Sequence, residues 1–582
     1  MDLRELALIG DRRTAALVHR NGDVLWYCPG RFDYPSVFGA LLDPAAGAWR
    51  VKLPKAVPLS RRYREESAVL ETRLRSPGGE WAFTDWMPMA EGAPGAICRR
   101  FTAAPLKAEI VLEPRPDFGR AAVSYRQQGQ LVVINERLYL YASHPPRVDA
   151  DGLHFEIPAG DAGWMMLADA PVAEPSQGLL DRWRRETMEN WQRLAESSGY
   201  LGPYAHEVRD SLRALRLLTH RASGGVIAAA SLGLPASVGA DNHDQRHVRL
   251  RDAGMIAEAL LAVGGDGGEL RRLLEFLARL RENTGRLPLP AGASLDFAAP
   301  APATALGWQG ILDSHPVWLG DDCASRAQLT GMGSMLMAAA GAYGRAGRLE
   351  HYREAAEVAD FVAEHWQQPD HGFWDDSEPG QYTVAKVAAA VGLERLAAFA
   401  DRPGRAAGWK SAAGEIRQFV ERECKTREGA YAAAAGSDSV DLTAALFPLW
   451  RYCQANSPAM RSTAAVITRE LSADGLLYRR SPNSSTVDVA CGFWMARYWI
   501  LRGELEKARQ LIDAGLRFTT DLGLLPEAAE PASGRLLGNL PQSAAHAALV
   551  SAVVDLRKAL QARETMPPTI RSHRDEAPRT RW

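Results

Sequence analysis

The 582-residue chain carries 46% hydrophobic and 24% charged residues, close to globular averages, so neither a disordered nor a fibrous class is favoured. That length exceeds one ordinary core, and two domains, one of them large, account for it. Formal net charge is −2, and basic residues such as Arg209, Arg213 and Arg216 have acidic neighbours instead of forming a stripe, which argues against nucleic acid as a partner.

The first residues, MDLRELALIGDRR, interrupt any secretory apolar run with charges. No later stretch approaches about 18 uncharged apolar residues. The expectation is a cytoplasmic protein that does not engage a membrane. Residues 1–180 hold short runs of strand composition, among them AALVHR, DVLWYC, AVLETRLRS, WAFTDWM, AEIVLEP and LYLYAS. Turn signals at Asn21-Gly22-Asp23, Pro77-Gly78-Gly79 and Asp151-Gly152 punctuate them, a pattern that predicts an antiparallel β-sandwich.

Near Leu180 the pattern changes to LLDRWRRETMENWQRLAESS, with Trp and Leu recurring at helical steps, which predicts a linker helix over 181–202. From 203 to 562 about twelve helical stretches follow, near 203–220, 252–264, 267–283, 325–346, 349–368, 382–401, 406–424, 439–454, 458–471, 487–503, 505–518 and 541–561. Six antiparallel hairpins use up twelve helices, so the expected architecture is an (α/α)6 toroid. Loops 231–250, 286–324, 369–381 and 521–540 are rich in Gly, Pro, Asp and Trp, and loops of that kind on a rigid barrel are where a site is usually built. Residues 563–582 read as a disordered tail.

Six widely spaced cysteines, with no CxxC pair, read as buried free thiols. Neither a metal-ligand cluster nor a phosphate-binding Gly loop is apparent, so no cofactor is expected.

Several segments in chain order resemble glycoside hydrolase family fifteen, the bacterial glucoamylase- and trehalase-like enzymes. They are LIGDRRTAALVHRNGDVLWYCPGRFDYPSVFGALLD, RYREESAVLETRLRSPGGEWAFTDWMP, PRPDFGR at 114–120, NHDQRHVRLRDAG at 242–254, HPVWLGDDCASRAQL, HGFWDDSEPGQYTVAKV and GLLPEAAEPASGRLLGNLPQSAAHAALV. The resemblance implies a β-sandwich plus (α/α)6 catalytic domain, and exo-acting hydrolysis of an α-glucosidic bond with inversion. Inversion uses two carboxyls roughly 6.5–9.5 Å apart, one protonating the leaving oxygen and one activating water on the opposite ring face. A carbohydrate substrate follows, while the oligomeric state stays open.

By motif match, Glu527 in GLLPEAAE falls at the family's general base, with Glu530 as fallback. Asp375 in HGFWDD falls where relatives carry the acid as glutamate. Aspartate is one methylene shorter, which sets its proton about 1.5 Å back. Phe373 and Trp374 could supply the apolar wall that keeps an acid protonated, and Asp376 or Glu378 are substitutes. Arg251 and Asp252 match the family's sugar-gripping pair, Asp244 and Arg246 retain its Asp-x-Arg, and Lys386 matches its Ser-Lys position.

Trp318 and Trp308 are candidates for stacking on sugar faces, with His315 and Asp322 behind them. Several positions depart from the family. His243, Gln245, His247 and Arg249 replace aromatics, and Ser485 or a neighbour replaces a glutamate, changes that point to an altered, even anionic, substrate. The competing reading is a degenerate relative that binds carbohydrate or a partner without hydrolysing it. A phosphorylase is a third reading, separable by phosphate dependence.

Overall fold

The computed structural model describes residues 1–565 except Asp241, Gly265, Asp266, Asp376 and Ser377. Alternation of apolar and polar residues builds the N-terminal half. In Leu70–Ser76 every second side chain is buried, and it pairs in register with Gly79–Trp86 across the Pro77–Gly78 turn, as a strand with one solvated face requires. Fifteen such strands form two antiparallel sheets. One runs, in spatial order, Leu6–Gly10, Ala15–His19, Val24–Tyr27, Ala48–Lys52, Ala108–Glu113, Leu153–Ile157 and Arg147–Val148. The other runs Tyr125–Gln128, Leu131–Ile134, Leu138–Ala142, Gly163–Ala168, Ala96–Phe101, Gly79–Trp86, Leu70–Ser76 and Val57–Tyr63.

After the last strand comes α1 (Gln177–Glu196), which starts four residues before the sequence pattern places it because Ser176 caps its first turn, accepting from Leu179 N at 3.2 Å. The helical half then comprises α2 (Ala205–Leu217), α3 (Leu250–Val263), α4 (Gly268–Thr284), α5 (Leu329–Ala346), α6 (Tyr352–His365), α7 (Thr383–Leu396), α8 (Pro403–Glu423), α9 (Leu446–Leu449, preceded by the 3-10 turn Leu442–Ala445), α10 (Pro458–Val466), α11 (Val489–Leu501), α12 (Leu505–Leu516) and α13 (Ser543–Glu564). Beyond α13 the tail from residue 566 lies outside the described residues.

Helices α3, α5 and α7, the 3-10 turn Leu442–Ala445 that leads into α9, and then α11 and α13 touch in sequence, and α13 returns to α3, which closes an inner ring. The alternate helices form the outer layer of an (α/α)6 toroid. Composition explains the division. Inner α5 and α7 (TGMGSMLMAAAGAYGRA after Leu329; TVAKVAAAVGLERL) are buried on nearly all sides and carry small residues, while outer helices such as α6 bury one stripe. Where α5 and α7 cross, a Cβ at Gly333 would sit 2.5 Å from the Ala388 carbonyl carbon, so only glycine permits that approach.

The two halves are clamped together. Arg246, 1% exposed, donates to the Tyr34 carbonyl at 2.8 Å and stacks over Phe118, and Trp308 Nε1 donates to the Phe118 carbonyl at 3.1 Å. Segments 28–34 and 114–120 of the sandwich thus brace the toroid's loops. All six cysteines are free, and five are buried. Among the described residues no helix is long and apolar enough to cross a membrane.

Candidate active site

The inner helices direct their N-termini to one mouth of the toroid, and that mouth holds a cavity of about 400 Å³, within the size range of small-ligand sites. Its walls come from the residues that open those helices. Arg249, Arg251 and Asp252 lie at the start of α3, Arg326 precedes α5, Phe373, Trp374 and Asp375 precede α7, Asp488 caps α11, and Gln542 caps α13. Glu527, Asn539, Arg480, Asp321, Asp322, Trp318, Trp494, His243 and Gln245 complete it.

A three-stranded ribbon of Val487–Asp488, Ala528–Ala529 and Leu536–Leu537 fixes Glu527. Its N–H donates to the Asn539 carbonyl at 2.8 Å, and its carbonyl accepts from Val489 N at 3.0 Å. The Asn539 side chain accepts from Leu234 N at 3.1 Å, which orients its amide to donate to Glu527 Oε2 at 2.6 Å. Arg480 Nη2 donates to Glu527 Oε1 at 2.8 Å, also pairs with Asp488, and lies 4.5 Å over the Trp374 ring. Gly538, at φ +66°, passes so close that an added Cβ would stand 2.8 Å from Glu527 Cβ. Burial pushes the Glu527 carboxyl up, but Arg480 and the Asn539 donors more than offset it and hold it below the usual glutamate range. An ionised carboxylate, 16% exposed, is the state a base that deprotonates water needs.

Across the cavity, Asp375 has the same 16% exposure but a different setting. Oδ2 accepts from Arg251 Nη1 at 2.6 Å with Arg249 Nη1 at 3.6 Å, and Oδ1 accepts from Gln328 Nε2 at 2.5 Å. Its carbonyl accepts from Arg326 Nη1 at 3.1 Å. Burial raises this carboxyl, yet Arg251, Arg249 and Arg326 outweigh burial and hold it below the usual aspartate range. The sequence suggested an apolar wall of Phe373 and Trp374 favouring the protonated form; guanidinium groups dominate instead. Arg251 itself spans the Phe373 ring and carbonyl. Asp252, at 5% exposure, moves the other way: burial raises its carboxyl, and Arg251 and Arg249 offset this only in part.

Of the residues singled out from sequence, Glu527, Asp375, Arg251, Asp252, Trp318, Trp374 and Asp322 line the cavity. Others do not. Asp244 and Arg246 form a buried pair, 2.7 Å apart and 0% and 1% exposed, in which Asp244 also accepts from Gly320 N. They join the domains and do not line the cavity. Lys386 is sealed behind the loop, donating Nζ to the carbonyls of Trp366 and Gln368 (3.0 Å), so its place as a pocket donor is taken by a structural one. Trp308 packs against the sandwich, His247 is buried beside Asp244, Glu530 bonds Ser533, and His315, Glu378 and Ser485 are exposed away from the cavity. Asp376 lies outside the described residues. Sequence reasoning missed Arg480, Asn539, Asp321, Arg326 and Asp488. The Gly-Asn-Leu-Pro turn was the one signal for Asn539, whereas Arg480 pairs with a carboxylate 47 residues away. No group of three or more His, Cys, Asp or Glu that could hold a metal occurs among the described residues.

A sandwich braced against a toroid whose mouth carries carboxylates, guanidinium groups and tryptophans defines an enzyme of the glycoside-hydrolase class. Residues 202–498 match the family described as Glycosyl hydrolases family 15, and residues 1–184 match Trehalase-like, N-terminal. The chain belongs to glycosyl hydrolase family 15. Over its length it is 29% identical to Trehalase 1 of Sulfolobus acidocaldarius (96% of this chain, 99% of that one) and 27% identical to the trehalase of Mycolicibacterium smegmatis (96% and 91%). A bacterial glucoamylase solved with acarbose shares the fold at TM-score 0.70 and 13% identity, covering 97% of this chain and 96% of that chain.

Proposed function

We propose that this hydrolase cleaves an α-glucosidic bond at a chain end with inversion, Glu527 acting as general base on the attacking water. The observation that carries the reading is the placement of Glu527, anchored as a carboxylate by Arg480 and Asn539, on the wall of one cavity with Asp375, the residue at the family's acid position. An anchored base needs no reorganisation when water loses its proton. Arg251 and Asp252, at the start of α3, supply the fork donors and carboxylate that grip sugar hydroxyls, and Trp318 and Trp374 offer faces for the ring.

A phosphorylase uses phosphate in place of the activated water, so a retained, anchored base favours hydrolysis. The test is proton NMR of the anomeric signal released from an α-glucoside panel that includes trehalose and α-glucosyl fluoride. β-Glucose must appear first, and Glu527→Gln must abolish it. Release of α-glucose, or turnover indifferent to Glu527→Gln, refutes the reading.

A further inference from the structure

Glu527 and Asp375 are both held through one aromatic loop. Arg251, which donates to Asp375, lies 5.2 Å over the Phe373 ring, and Arg480, which donates to Glu527, lies 4.5 Å over the neighbouring Trp374 ring. Phe373 and Trp374 meet edge-on with centroids 4.8 Å apart, and both pack against Trp494 of α11, at 5.7 and 6.2 Å. Two adjacent residues thus seat one guanidinium for each carboxylate, and a tilt of either ring displaces the cation on it. The Trp374 indole has its own stop: Nε1 donates to Asp441 Oδ2 at 2.9 Å. Asp441 does not line the cavity. It opens the 3-10 turn Leu442–Ala445, where Oδ1 accepts from Thr443 N at 2.8 Å and from the Thr443 hydroxyl. One oxygen therefore holds the turn and the other holds the loop. With its N–H tied to a carboxylate, the indole cannot swing without breaking a charge-assisted bond, so the face it presents to Arg480 is fixed.

We propose that Asp441 is a positioning residue for the reaction, acting from behind the cavity through the Trp374 indole to hold Arg480, and with it the Glu527 carboxylate, in place against Asp375. Asp441 meets neither the sugar nor the attacking water. Its effect passes through three contacts in series, Asp441 to Trp374, Trp374 to Arg480 and Arg480 to Glu527. Arg480 is 41% exposed and pairs with Asp488 as well, so without a fixed ring beneath it the guanidinium is free to spend time on Asp488 or in solvent at the expense of Glu527. A base displaced by a fraction of an ångström from the attacking water loses rate without losing affinity for the sugar. This inference rests on Glu527 as base.

The experiment measures kcat, KM and the acid limb of the pH profile of the full chain on α-glucosyl fluoride, for wild type, Asp441→Asn, Trp374→Phe and the double variant. Asparagine keeps the shape of Asp441 but offers one oxygen and one NH2, so either Thr443 N or Trp374 Nε1 is left facing a donor. The expected result for Asp441→Asn is a kcat about 10-fold lower with KM changed by less than about threefold. The limb set by Glu527 should move upward by about half a unit as Arg480 loosens. Trp374→Phe keeps a ring under Arg480 and leaves the turn at Thr443 intact but has no N–H, and it should reproduce the limb shift by itself, which keeps the proposal testable if Asp441→Asn folds poorly. Adding Asp441→Asn to Trp374→Phe should then change kcat by less than about twofold, the non-additivity of two residues that act as a unit. An Asp441→Asn that matches wild type, that costs as much in the Trp374→Phe background, or that lowers kcat with the limb unmoved would confine Asp441 to the turn and overturn the proposal, with the base reading intact. A wild type inert on the fluoride, or a Glu527→Gln that still turns it over, removes both.

Discussion

Replacing Arg480 by methionine should move the acid limb of the pH profile upward. Arg480 Nη2 stands 2.8 Å from Glu527 Oε1, and Arg480 is the first influence that lowers the Glu527 carboxyl against the upward push of burial. An opposite charge within about 4–6 Å shifts a carboxyl by about 1–3 units. Arg480 is 41% exposed, so solvent screens the pair, and the lower end, about one unit or ~1.4 kcal/mol, is the expected size. The sign is fixed: a base held low keeps working as pH falls, so losing the cation makes kcat/KM decline at a higher pH. Stopped-time assays with α-glucosyl fluoride from pH 3 to 7 would read this limb without involving a proton donor. Arg480→Lys should recover part of the shift, which a purely steric effect would not allow. An unmoved limb in Arg480→Met would show that Glu527 is not the group whose ionisation gates the reaction.

Three further outcomes follow from the same coordinates. Gly538→Ala imposes a side chain at φ +66° and 2.8 Å from Glu527 Cβ, so steady-state kinetics should show kcat reduced by about 100-fold, with the fold retained by circular dichroism. Asp244→Ala strands the guanidinium of Arg246 in the domain interface, and denaturant titration should show a loss of about 3–5 kcal/mol. His220 is lowered to about 4 by burial and then by Arg31, and His546 to about 3 by burial and then by Arg213. The unfolded chain therefore binds protons that the folded chain refuses below pH 6.5. Their stability is complete above that pH and falls as pH drops toward 4 and 3, at about 1.4 kcal/mol per unit for each. Denaturation at pH 6.5 and 5 should show a smaller pH-dependent loss for His546→Gln, by about 2 kcal/mol, than for wild type.

The fold was legible because its two halves obey different periods. Strands such as Leu70–Ser76 alternate at every residue, and the Ala- and Gly-rich inner helices announce burial on all sides. The site was legible only where one residue's chemistry declares itself. Glu527 stands beside a Gly-Asn-Leu-Pro turn that the structure uses to anchor it. Asp244-x-Arg246 carries the same letters whether it grips a sugar or seals an interface, and the choice depends on segment 28–34, more than 200 residues away. Lys386 is similar: a lysine on a helix gives no hint that two carbonyls behind a loop will accept its hydrogen bonds. Arg480 sits in a polar stretch, RRSPNSST, with no pattern to distinguish it from solvated arginines.

The shape of the toroid bears on which protonation state the carboxyls at its mouth favour. Helix N-termini carry partial positive charge, and the inner helices bring several of them to a single mouth. Carboxylates there are stabilised in the ionised form, which suits Glu527 without further arrangement. A proton donor in the same field requires the opposite: local removal of cations and an apolar surround strong enough to overcome the helix ends. Around Asp375 stand Arg251, Arg249 and Arg326, whose charges outweigh burial and hold its carboxyl below the usual aspartate range. Among the described carboxyls of the cavity, the pKa of Asp252 is raised, but it is nearly sealed at the start of α3. A substrate whose leaving group departs without a proton, such as α-glucosyl fluoride, therefore isolates the step proposed for Glu527 from any proton donation by Asp375 or Asp252.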